Sequence, residues 1–378
     1  MRVLCIFMGE TRKSMGGCEI YRISMPFSYM MQHGHQCGWA FYEDIYNEYK
    51  VVGPKYWKGF VESADIFVFP RLFVPDKAKE EVTWAIQYLF DQIRKAGKRV
   101  VYELDDDYTN EFRDVIGGDA IVAARATDGI TASTDVLAKR MKKLTGRPTH
   151  VLPNMIDMEL WGDAGEPKYK DELGAKILIG LTGSSTHEHD WIVLKNVLPY
   201  IIDKYPHVHL LVGGYNPDYL LGLENTTYLP GVNYATYSRL VRNFDLVLAP
   251  VNPFDGFNDF KSPIKAIEGM AARRSVDGKP AGGAVIATNN LVYRTAVRHG
   301  KTGLLVEHTP DAWAEAIERT ITDTAMRKRL QIAGHTWVQR KHSIARHWTK
   351  WVSAYQKILN APANPVELGS IVDKGVVS

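Results

Sequence analysis

A chain of 378 residues is long enough for two domains rather than one. Its content of 45% hydrophobic and 24% charged residues is ordinary for a globular protein and allows a sizeable core. The formal net charge of +3 is too small to indicate binding to nucleic acid or to a membrane by itself, although basic residues cluster in segments such as 139–147 and 326–330.

Cysteine usage and hydrophobic patterning favour a reducing compartment. Cys5, Cys18 and Cys37 are an odd number without CxxC spacing, which argues against a disulfide framework or a zinc site. The apolar run at 3–8 is too short for a signal peptide and is ended by a glycine. No stretch approaches the roughly 18 apolar residues of a membrane span. We therefore expect a cytoplasmic protein without a transmembrane segment.

The first half of the chain alternates strands and helices. One helical pattern runs from about Cys18 to Gln32, and a second covers residues 76–97 with a glycine stop. Short apolar runs separated by helices are typical of parallel strands in an α/β sheet. The strands predicted for this half are residues 3–8, 65–70, 98–104, 129–133 and 149–154.

The second half repeats this alternation after a polar stretch at 157–175, whose Pro and Gly content predicts a linker. An amphipathic segment at 345–359 follows the last strand, and the tail from Ala361 has no pattern and is expected to be disordered. The predicted strands of this half are 176–183, 207–214, 245–251, 283–289 and 303–307, and its clearest helices are 191–204, 235–243 and 310–322.

These elements predict an α/β fold with two Rossmann-like, doubly wound domains. In open α/β sheets, ligands bind beyond the carboxyl ends of the strands. Because pockets also favour domain interfaces, we expect the two domains to face each other across a ligand-binding cleft.

Two turns in the first half contain candidate functional residues. Gly16 and Gly17 precede a predicted helix, where glycines let backbone N–H groups approach an anion, although a plain turn explains them equally well. Asp105, Asp106 and Asp107 follow a predicted strand. They are candidates for a proton acceptor, a hydroxyl-binding group or, less favoured, a metal site, and the alternative is a helix-capping acidic loop.

The segment "GLTGSSTHEHDW" (180–191) follows the first strand of the second half. Gly183, Ser184 and Ser185 at this strand–helix turn resemble a phosphate-binding edge. His187 and His189 are two positions apart, which does not place them on one helical face, so a metal pair is not favoured. Asp190 is interpreted as a helix cap.

The segment 249–272 combines more charge and helix-start signals than any other. Ser262 and Pro263 predict an N-cap followed by the first helical residue. Lys261, Lys265 and Glu268 then fall on one arc of the helix, with the two lysines placed to bind a diphosphate and the glutamate to accept ribose hydroxyls. The alternative is a surface helix stabilised by salt bridges at i,i+3 or i,i+4 spacing.

The order of these motifs resembles that of the GT-B glycosyltransferases of the group 1, family 4 type, over about residues 1–360. The similarity includes the Gly-Gly loop, "ITAST", "VLPNMID" at the domain junction, "LLVGG", "YLPGV", the lysine–glutamate helix before "AVIATN", and "GKTGLLVE". The resemblance implies the following organisation: an acceptor-side domain at 1–156, a linker at 157–175, a nucleotide-sugar-binding domain at 176–342, a helix at 343–360 that crosses back to the first domain, and a tail at 361–378.

The resemblance also implies a reaction and its site residues. The family transfers a sugar from a nucleotide-diphosphate donor to a hydroxyl acceptor, and retention of configuration without metal or cofactor is expected. Glu268 matches the family's ribose-binding glutamate, while the partner glutamate eight positions earlier falls on Phe260, so Asp259 or the backbone around Asn258 is the candidate replacement. The family's arginine–lysine diphosphate pair is also changed, which leaves Ser184, Lys261 and Lys265 as phosphate candidates. Asp105 to Asp107 would face the acceptor.

Two other functions stay open at the level of sequence. One is a nucleotide-sugar epimerase or phosphorylase on the same fold. The other is a DNA-modifying glycosyltransferase that adds the sugar to a hydroxylated base, with the basic clusters and their Tyr and Trp neighbours holding the DNA. A UDP- or GDP-linked donor is expected on family grounds, whereas the acceptor is open between a saccharide, another hydroxyl compound and DNA.

Overall fold

The computed structural model describes residues 1–7, 17–72, 74–75, 80–109, 118–162 and 169–365. The chain forms two compact units. The first contains Met1–Pro153, Phe260–Ser262 and the chain from His347 onward, and the second contains Asn154–Asp259 and Pro263–Arg346. None of the helices in the described ranges is both long and apolar enough to cross a membrane.

The first unit contains a six-stranded parallel sheet in the order β2-β1-β3-β5-β7-β8. All five predicted strands of this half are present, and the edge strand β2 is an addition. The two-residue strands β4 and β6 pair separately. The strands of this unit are β1 Arg2–Phe7, β2 Gln36–Phe41, β3 Ile66–Pro70, β4 Val74–Pro75, β5 Arg99–Leu104, β6 Gly118–Asp119, β7 Gly129–Ala132 and β8 Thr149–Val151.

The predicted helix at 18–32 is present in three parts, because a π-helical turn at Ile20–Ser24 separates two α-helical parts. The helices of the first half are α1 Gly17–Glu19, α2 Met25–Gln32, α3 Tyr42–Val52, α4 Pro54–Glu62, α5 Glu80–Lys95, α6 Ala120–Arg125 and α7 Asp135–Thr145.

Two helices near the C-terminus are α16 Ile344–His347 and α17 Thr349–Asn360. The second packs on the sheet of the first unit through buried side chains that include Trp351 and Ile358. A Cβ on Gly129 in β7 would lie 2.8 Å from Ile358, so the glycine is what allows this approach.

The prediction that the chain is disordered from Ala361 onward is wrong for residues 361–365, which have ordered contacts. Arg99 donates to the carbonyl of Ala361, and the backbone N–H of Asn364 donates to Asp128 at 2.7 Å. Asn364 is buried, and its side-chain amide also donates to the carbonyls of Arg125, the last residue of α6, and of Thr127. These long-range hydrogen bonds give residues 361–365 fixed partners that no local pattern reveals, and residues 366–378 lie outside the described part.

The second unit contains a parallel sheet in the order β11-β10-β9-β12-β15-β16. Counted within the unit this is 3-2-1-4-5-6, the order of dinucleotide-binding doubly wound sheets. A short antiparallel hairpin, β13–β14, precedes β15. The strands are β9 Ile177–Gly183, β10 Val208–Gly214, β11 Thr226–Leu229, β12 Leu246–Ala249, β13 Arg274–Val276, β14 Lys279–Ala281, β15 Ala284–Thr288 and β16 Leu304–Val306.

Helices of the second unit connect these strands. The predicted helices at 235–243 and 310–322 are present, while that at 191–204 is broken into shorter turns. A long helix at 324–341 was not predicted. The helices are α8 Tyr169–Glu172, α9 Glu188–Trp191, α10 Val197–Lys204, α11 Tyr234–Val241, α12 Ile264–Ala271, α13 Tyr293–Ala296, α14 Pro310–Thr322 and α15 Thr324–Lys341.

Part of the predicted linker at 157–175 belongs to the second unit's fold. Trp161 is fully buried, and its indole N–H donates to the hydroxyl of Tyr234 at 2.8 Å. Residues 169–172 form the short helix α8, whereas residues 163–168 lie outside the described ranges.

Candidate functional site

The second unit contains five of the candidate residues, and they lie near the carboxyl ends of its strands: Gly183, Ser184, Asp259, Lys265 and Glu268. In the order of this sheet, the connections reverse direction between β9 and β12, and this is the point at which doubly wound sheets bind ligands. The turn after β9, the loop after β12 and the helix α12 all begin at this edge. The site in this unit is therefore built around the switch point.

Glu268 and Lys265 form the centre of a polar network in which Glu268 is buried and its partners are half-buried. The hydroxyl of Tyr237 on α11 donates to Glu268 at 3.0 Å and accepts from the Lys265 ammonium at 3.2 Å. The Lys265 Nζ also lies 3.6 Å from the Glu268 carboxylate and 4.9 Å from the centre of the Tyr237 ring. Thr182, at the end of β9, bonds to the same tyrosine hydroxyl at 2.9 Å. Four side chains from three segments thus share one network.

The network contains one positive charge, on Lys265, beside one negative charge, on Glu268. Burial by itself lowers the pKa of Lys265, but Glu268 and Tyr237 outweigh this effect and the net shift is upward, so the lysine stays cationic. Burial and the Glu268 carboxylate together raise the pKa of Tyr237 to about 12. The structure contains the i,i+3 ion pair of the alternative interpretation, but Glu268 is only 4% exposed, so the pair is not fully solvated.

The predicted helix start at Ser262 is wrong. The helix begins at Ile264, and Pro263 occupies the cap position without a side-chain cap. Since Lys261 precedes the helix, it does not share an arc with Lys265 and Glu268. The structure assigns Phe260–Ser262 to the first unit and Pro263 onward to the second. Pro263 has φ −78° and ψ 30°, which is outside the α-helical region, so the helix starts one residue later than predicted.

The turn after β9 holds Gly183 and Ser184 at the sheet edge. The Gly183 carbonyl accepts from the backbone N–H of Tyr215 at 2.8 Å. Gly214, at the end of β10, has φ +91°, and a Cβ on it would lie 2.2 Å from that carbonyl, so only glycine fits. The exposed Ser184 bonds to the hydroxyl of Thr186 at 2.7 Å.

Asp190 is not the helix cap that the sequence suggested. Its carboxylate is 2% exposed and accepts three hydrogen bonds: from the His187 ring Nδ1 at 2.8 Å, from the backbone N–H of Asn252 at 2.8 Å, and from the side chain of Asn258 at 2.7 Å. The last two partners belong to the loop after β12. Because these partners are more than 60 positions away in sequence, a local pattern cannot reveal them.

Asp259 ends a 3-10 turn at Gly256–Asp259 and is half-buried. Phe260, which takes the position of the family's first glutamate, packs against the hydrophobic core of the first unit, and the Arg140 guanidinium lies 5.0 Å from the centre of its ring. Position 260 is thus occupied by a packing residue.

In the first unit, the three aspartates after β5 have three different environments. Asp105 is buried and held by Arg71 through two hydrogen bonds of 2.9 and 2.8 Å. Burial raises its pKa, but the Arg71 guanidinium outweighs this and the net shift is downward. Asp107 is buried too and bonds to Thr109 and Arg140. Both carboxylates are therefore engaged by basic partners.

Asp106 differs from its two neighbours. Burial, and then the charge of Asp105, raise its pKa to about 7, while Arg71 and Lys261 act in the opposite direction. A carboxylic acid that titrates near neutrality can exchange a proton with a ligand hydroxyl. Of the three aspartates, Asp106 is the one whose environment suits proton transfer.

The Gly-Gly turn lies only partly in the described region. Gly17 is exposed at the first position of α1, whereas Gly16 lies outside the described residues. Behind this helix, the buried Arg22 donates to Glu103 at 2.6 Å and to the carbonyl of Leu152. This ion pair fixes the π-helical turn against β5.

Comparisons with known proteins agree with this architecture. A family model described as "Glycosyl transferases group 1" matches residues 176–323. The phosphatidyl-myo-inositol mannosyltransferase of Mycobacterium tuberculosis H37Rv is 25% identical over 223 residues, which is 56% of this chain and 55% of that protein. The chain thus spans about half the length of the curated relatives that it matches.

Solved structures match over nearly the whole chain. Anabaena HepE in complex with UDP and glucose superposes with a TM-score of 0.66 at 15% identity, over 94% of this chain and 100% of that one. A glycosyltransferase from Rickettsia africae superposes with a TM-score of 0.65 at 15% identity, over 96% and 99% of the two chains. Residues 176–323 therefore resemble the group 1 glycosyl transferases, and the chain as a whole has the two-domain GT-B fold of the solved structures that it matches.

Proposed function

We propose that this protein transfers a sugar from a nucleotide-diphosphate donor to a hydroxyl group of an acceptor. The observation that carries the proposal is the hydrogen-bonded network of Thr182, Tyr237, Lys265 and the buried Glu268 at the switch point of the second sheet. A fixed carboxylate beside a fixed ammonium suits a ligand that presents ribose hydroxyls next to phosphates. The family match of residues 176–323 supports the same assignment.

In this proposal, Glu268 accepts hydrogen bonds from the ribose, and Lys265 stabilises the charge that develops on the diphosphate as the sugar leaves. Charge stabilisation by fixed groups is usually the largest contribution to such catalysis. Lys265 is suited to it because Glu268 and Tyr237 keep it cationic. Since this chain's own side chains can supply the charge, we propose a reaction that needs neither metal nor cofactor. Retention of the anomeric configuration is proposed on the resemblance to the family alone.

Asp106 is our candidate for accepting the proton of the acceptor hydroxyl. Its raised pKa makes it a mixture of both protonation states near neutral pH, which is the range in which a general base is most effective. Asp105, bound on both oxygens by Arg71, is the better candidate for holding the turn in place.

The experiment that tests the proposal is a thermal-shift panel of nucleotide sugars, followed by a transfer assay. UDP-glucose belongs in the panel because HepE was solved with UDP-glucose, and GDP-mannose because the curated relative is a mannosyltransferase. A ligand at 100 times its Kd raises the unfolding free energy by about 2.7 kcal/mol. We expect at least one donor to stabilise the wild type.

Glu268→Ala is expected to abolish that stabilisation, while Glu315→Ala, which removes an exposed glutamate from α14, is the matched control. The assignment fails if no nucleotide sugar stabilises the wild type. Conversion of the donor without any acceptor would instead indicate an epimerase, and transfer to a hydroxylated base in duplex DNA would indicate the DNA-modifying class.

A further inference from the structure

Asp190 links the two loops that begin at the switch point of the second sheet. One carboxylate oxygen accepts from the His187 ring in the turn after β9, and the other accepts from Asn252 and Asn258 in the loop after β12. Asn258 also donates to the carbonyl of Asn252 at 2.9 Å, which closes the loop on itself. A buried carboxylate with three partners fixes both loops in one arrangement.

His187 lies in the turn after β9, at the edge where doubly wound sheets bind ligands. It follows Gly183 at the carboxyl end of β9, and its ring stacks on Trp191, with centroids 6.5 Å apart and planes 11° apart. With Nδ1 bonded to Asp190, the ring would meet a ligand through its Nε2 side. A carboxylate at one nitrogen fixes the tautomer and stabilises the protonated ring, which is then a charged hydrogen-bond donor.

The Asp190 cluster and the Lys265–Glu268 network are parts of one electrostatic environment. Tyr293 on α13 is buried, and its pKa is raised first by burial and then by the charge of Asp190, with Glu268 and Lys265 acting on the same hydroxyl. Lys265 supplies a permanent positive charge here. In the turn 184–191, by contrast, the basic side chains are histidines alone, so any positive charge at this turn depends on pH.

We propose that Asp190 is a positioning residue that orients His187 onto the donor diphosphate, so that donor affinity depends on the protonation of His187. The proposal rests on the nucleotide-sugar function proposed above. In this proposal the phosphate contact in the turn after β9 is the titratable His187, whereas the family that the sequence resembles uses a permanently charged arginine–lysine pair.

Other titratable groups surround this pair and must be separated from it. Glu188, the next residue along the turn, hydrogen-bonds to Tyr215 after β10. His308, after β16, feels the charge of Asp190, but burial lowers its pKa. Tyr293 titrates far above neutral pH. His308 is therefore the other histidine on which Asp190 acts, and His308→Gln is the variant that separates the two.

The test is the affinity for UDP-glucose, or for whichever nucleotide sugar stabilises the wild type, measured by calorimetry from pH 5.5 to pH 8.5. An intact nucleotide sugar is the right probe because its phosphates carry no monoester group that titrates near pH 6. We expect the wild-type affinity to fall about tenfold or more as the pH rises, which is the worth of one charge-assisted hydrogen bond.

His187→Gln is expected to bind weakly and equally at both ends of the range. Asp190→Asn is expected to move the midpoint of the pH dependence to lower pH, because an amide does not favour the protonated ring. His189→Gln, which changes an exposed histidine two positions along, is the matched control and keeps the wild-type profile.

A His187→Gln variant with the wild-type pH profile overturns the inference, and so does a pH dependence that is lost in His308→Gln instead. If Asp190→Asn fails to fold, His187→Gln, whose side chain is partly exposed, still decides the question. Absence of binding by the wild type at every pH would instead reject the underlying function.

Discussion

Tyr237 is the residue on which the donor network depends. Its hydroxyl is shared by Thr182, Lys265 and Glu268, which come from β9 and α12, while the tyrosine itself comes from α11. Removing it would leave the buried Glu268 carboxylate and the half-buried Lys265 ammonium with one partner fewer, and such losses cost more than the hydrogen bond itself gains. The sequence predicted the lysine and the glutamate but not the tyrosine, because the tyrosine lies 28 and 31 positions away from its partners.

We predict that Tyr237→Phe weakens donor binding about tenfold, because both charged partners lose their common hydrogen bond. The measurement is the KM for the donor together with its calorimetric Kd. Tyr200→Phe, which removes an exposed hydroxyl bonded to Glu318, serves as the control and keeps both values. A Tyr237→Phe variant that binds as tightly as the wild type would contradict the role given to this network.

Asp106 gives a prediction for stability. Its pKa is raised to about 7, above that of an unfolded-state aspartate, so between about pH 4 and pH 7 the folded protein binds a proton that the unfolded chain does not. At higher pH the ionised Asp106 is desolvated in the folded protein, and this lowers the free energy of unfolding. Asp106→Asn should therefore raise the Tm, by about 2–4 °C for each kcal/mol relieved, and the gain should be larger at pH 8 than at pH 5. Equal Tm differences at the two pH values would show that the Asp106 pKa is not raised.

At the scale of elements, the sequence predicted what a local pattern can encode. The central strands were predicted because they are short apolar runs. The edge strands β2 and β11 were not predicted, because each is at most half-buried and contains polar residues such as Gln36 and Thr226. Helix α15 was not predicted because its apolar periodicity is weak. Its buried face includes Gln331 and His335, which bond to backbone carbonyls.

Helix α17 provides a prediction at this scale, because it packs on the sheet of the first unit through buried side chains. Ile358→Ala is expected to lower the unfolding free energy by about 2–4 kcal/mol, the usual cost of a cavity at a fully buried isoleucine. Lys357→Ala, one position away and exposed, should change it by less than about 0.5 kcal/mol. Urea denaturation measures both, and equal midpoints for the two variants would contradict the packing of α17.

At the scale of the whole molecule, the two units have different strand orders. The first has its reversal between β1 and β3, and the second between β9 and β12. The alternation of elements predicted two doubly wound domains, which the structure confirms, but the strand order depends on long-range pairing that no local pattern records. The same limit applies to the site: Glu268 and Lys265 could be predicted from helical spacing, whereas Asp190 and Tyr237 acquire their partners only when distant loops meet.

The proposed use of the Lys265 charge predicts how the activity of the whole enzyme depends on metal ions. Because Lys265 supplies positive charge at the proposed donor site, we predict that transfer proceeds at an unchanged rate after treatment with EDTA. The measurement is the kcat of the wild type with and without chelator, and the control is readdition of Mg²⁺ and Mn²⁺. A loss of activity that either metal restores would contradict the metal-independent mechanism.

The central claim is that the polar network at the switch point of the second sheet binds a nucleotide sugar. The most direct test is calorimetric titration of the wild type and of Glu268→Ala with the donor found in the thermal-shift panel. We predict a one-to-one complex for the wild type and a loss of affinity of at least about tenfold for a folded Glu268→Ala variant. Equal affinity of the two proteins would contradict the claim.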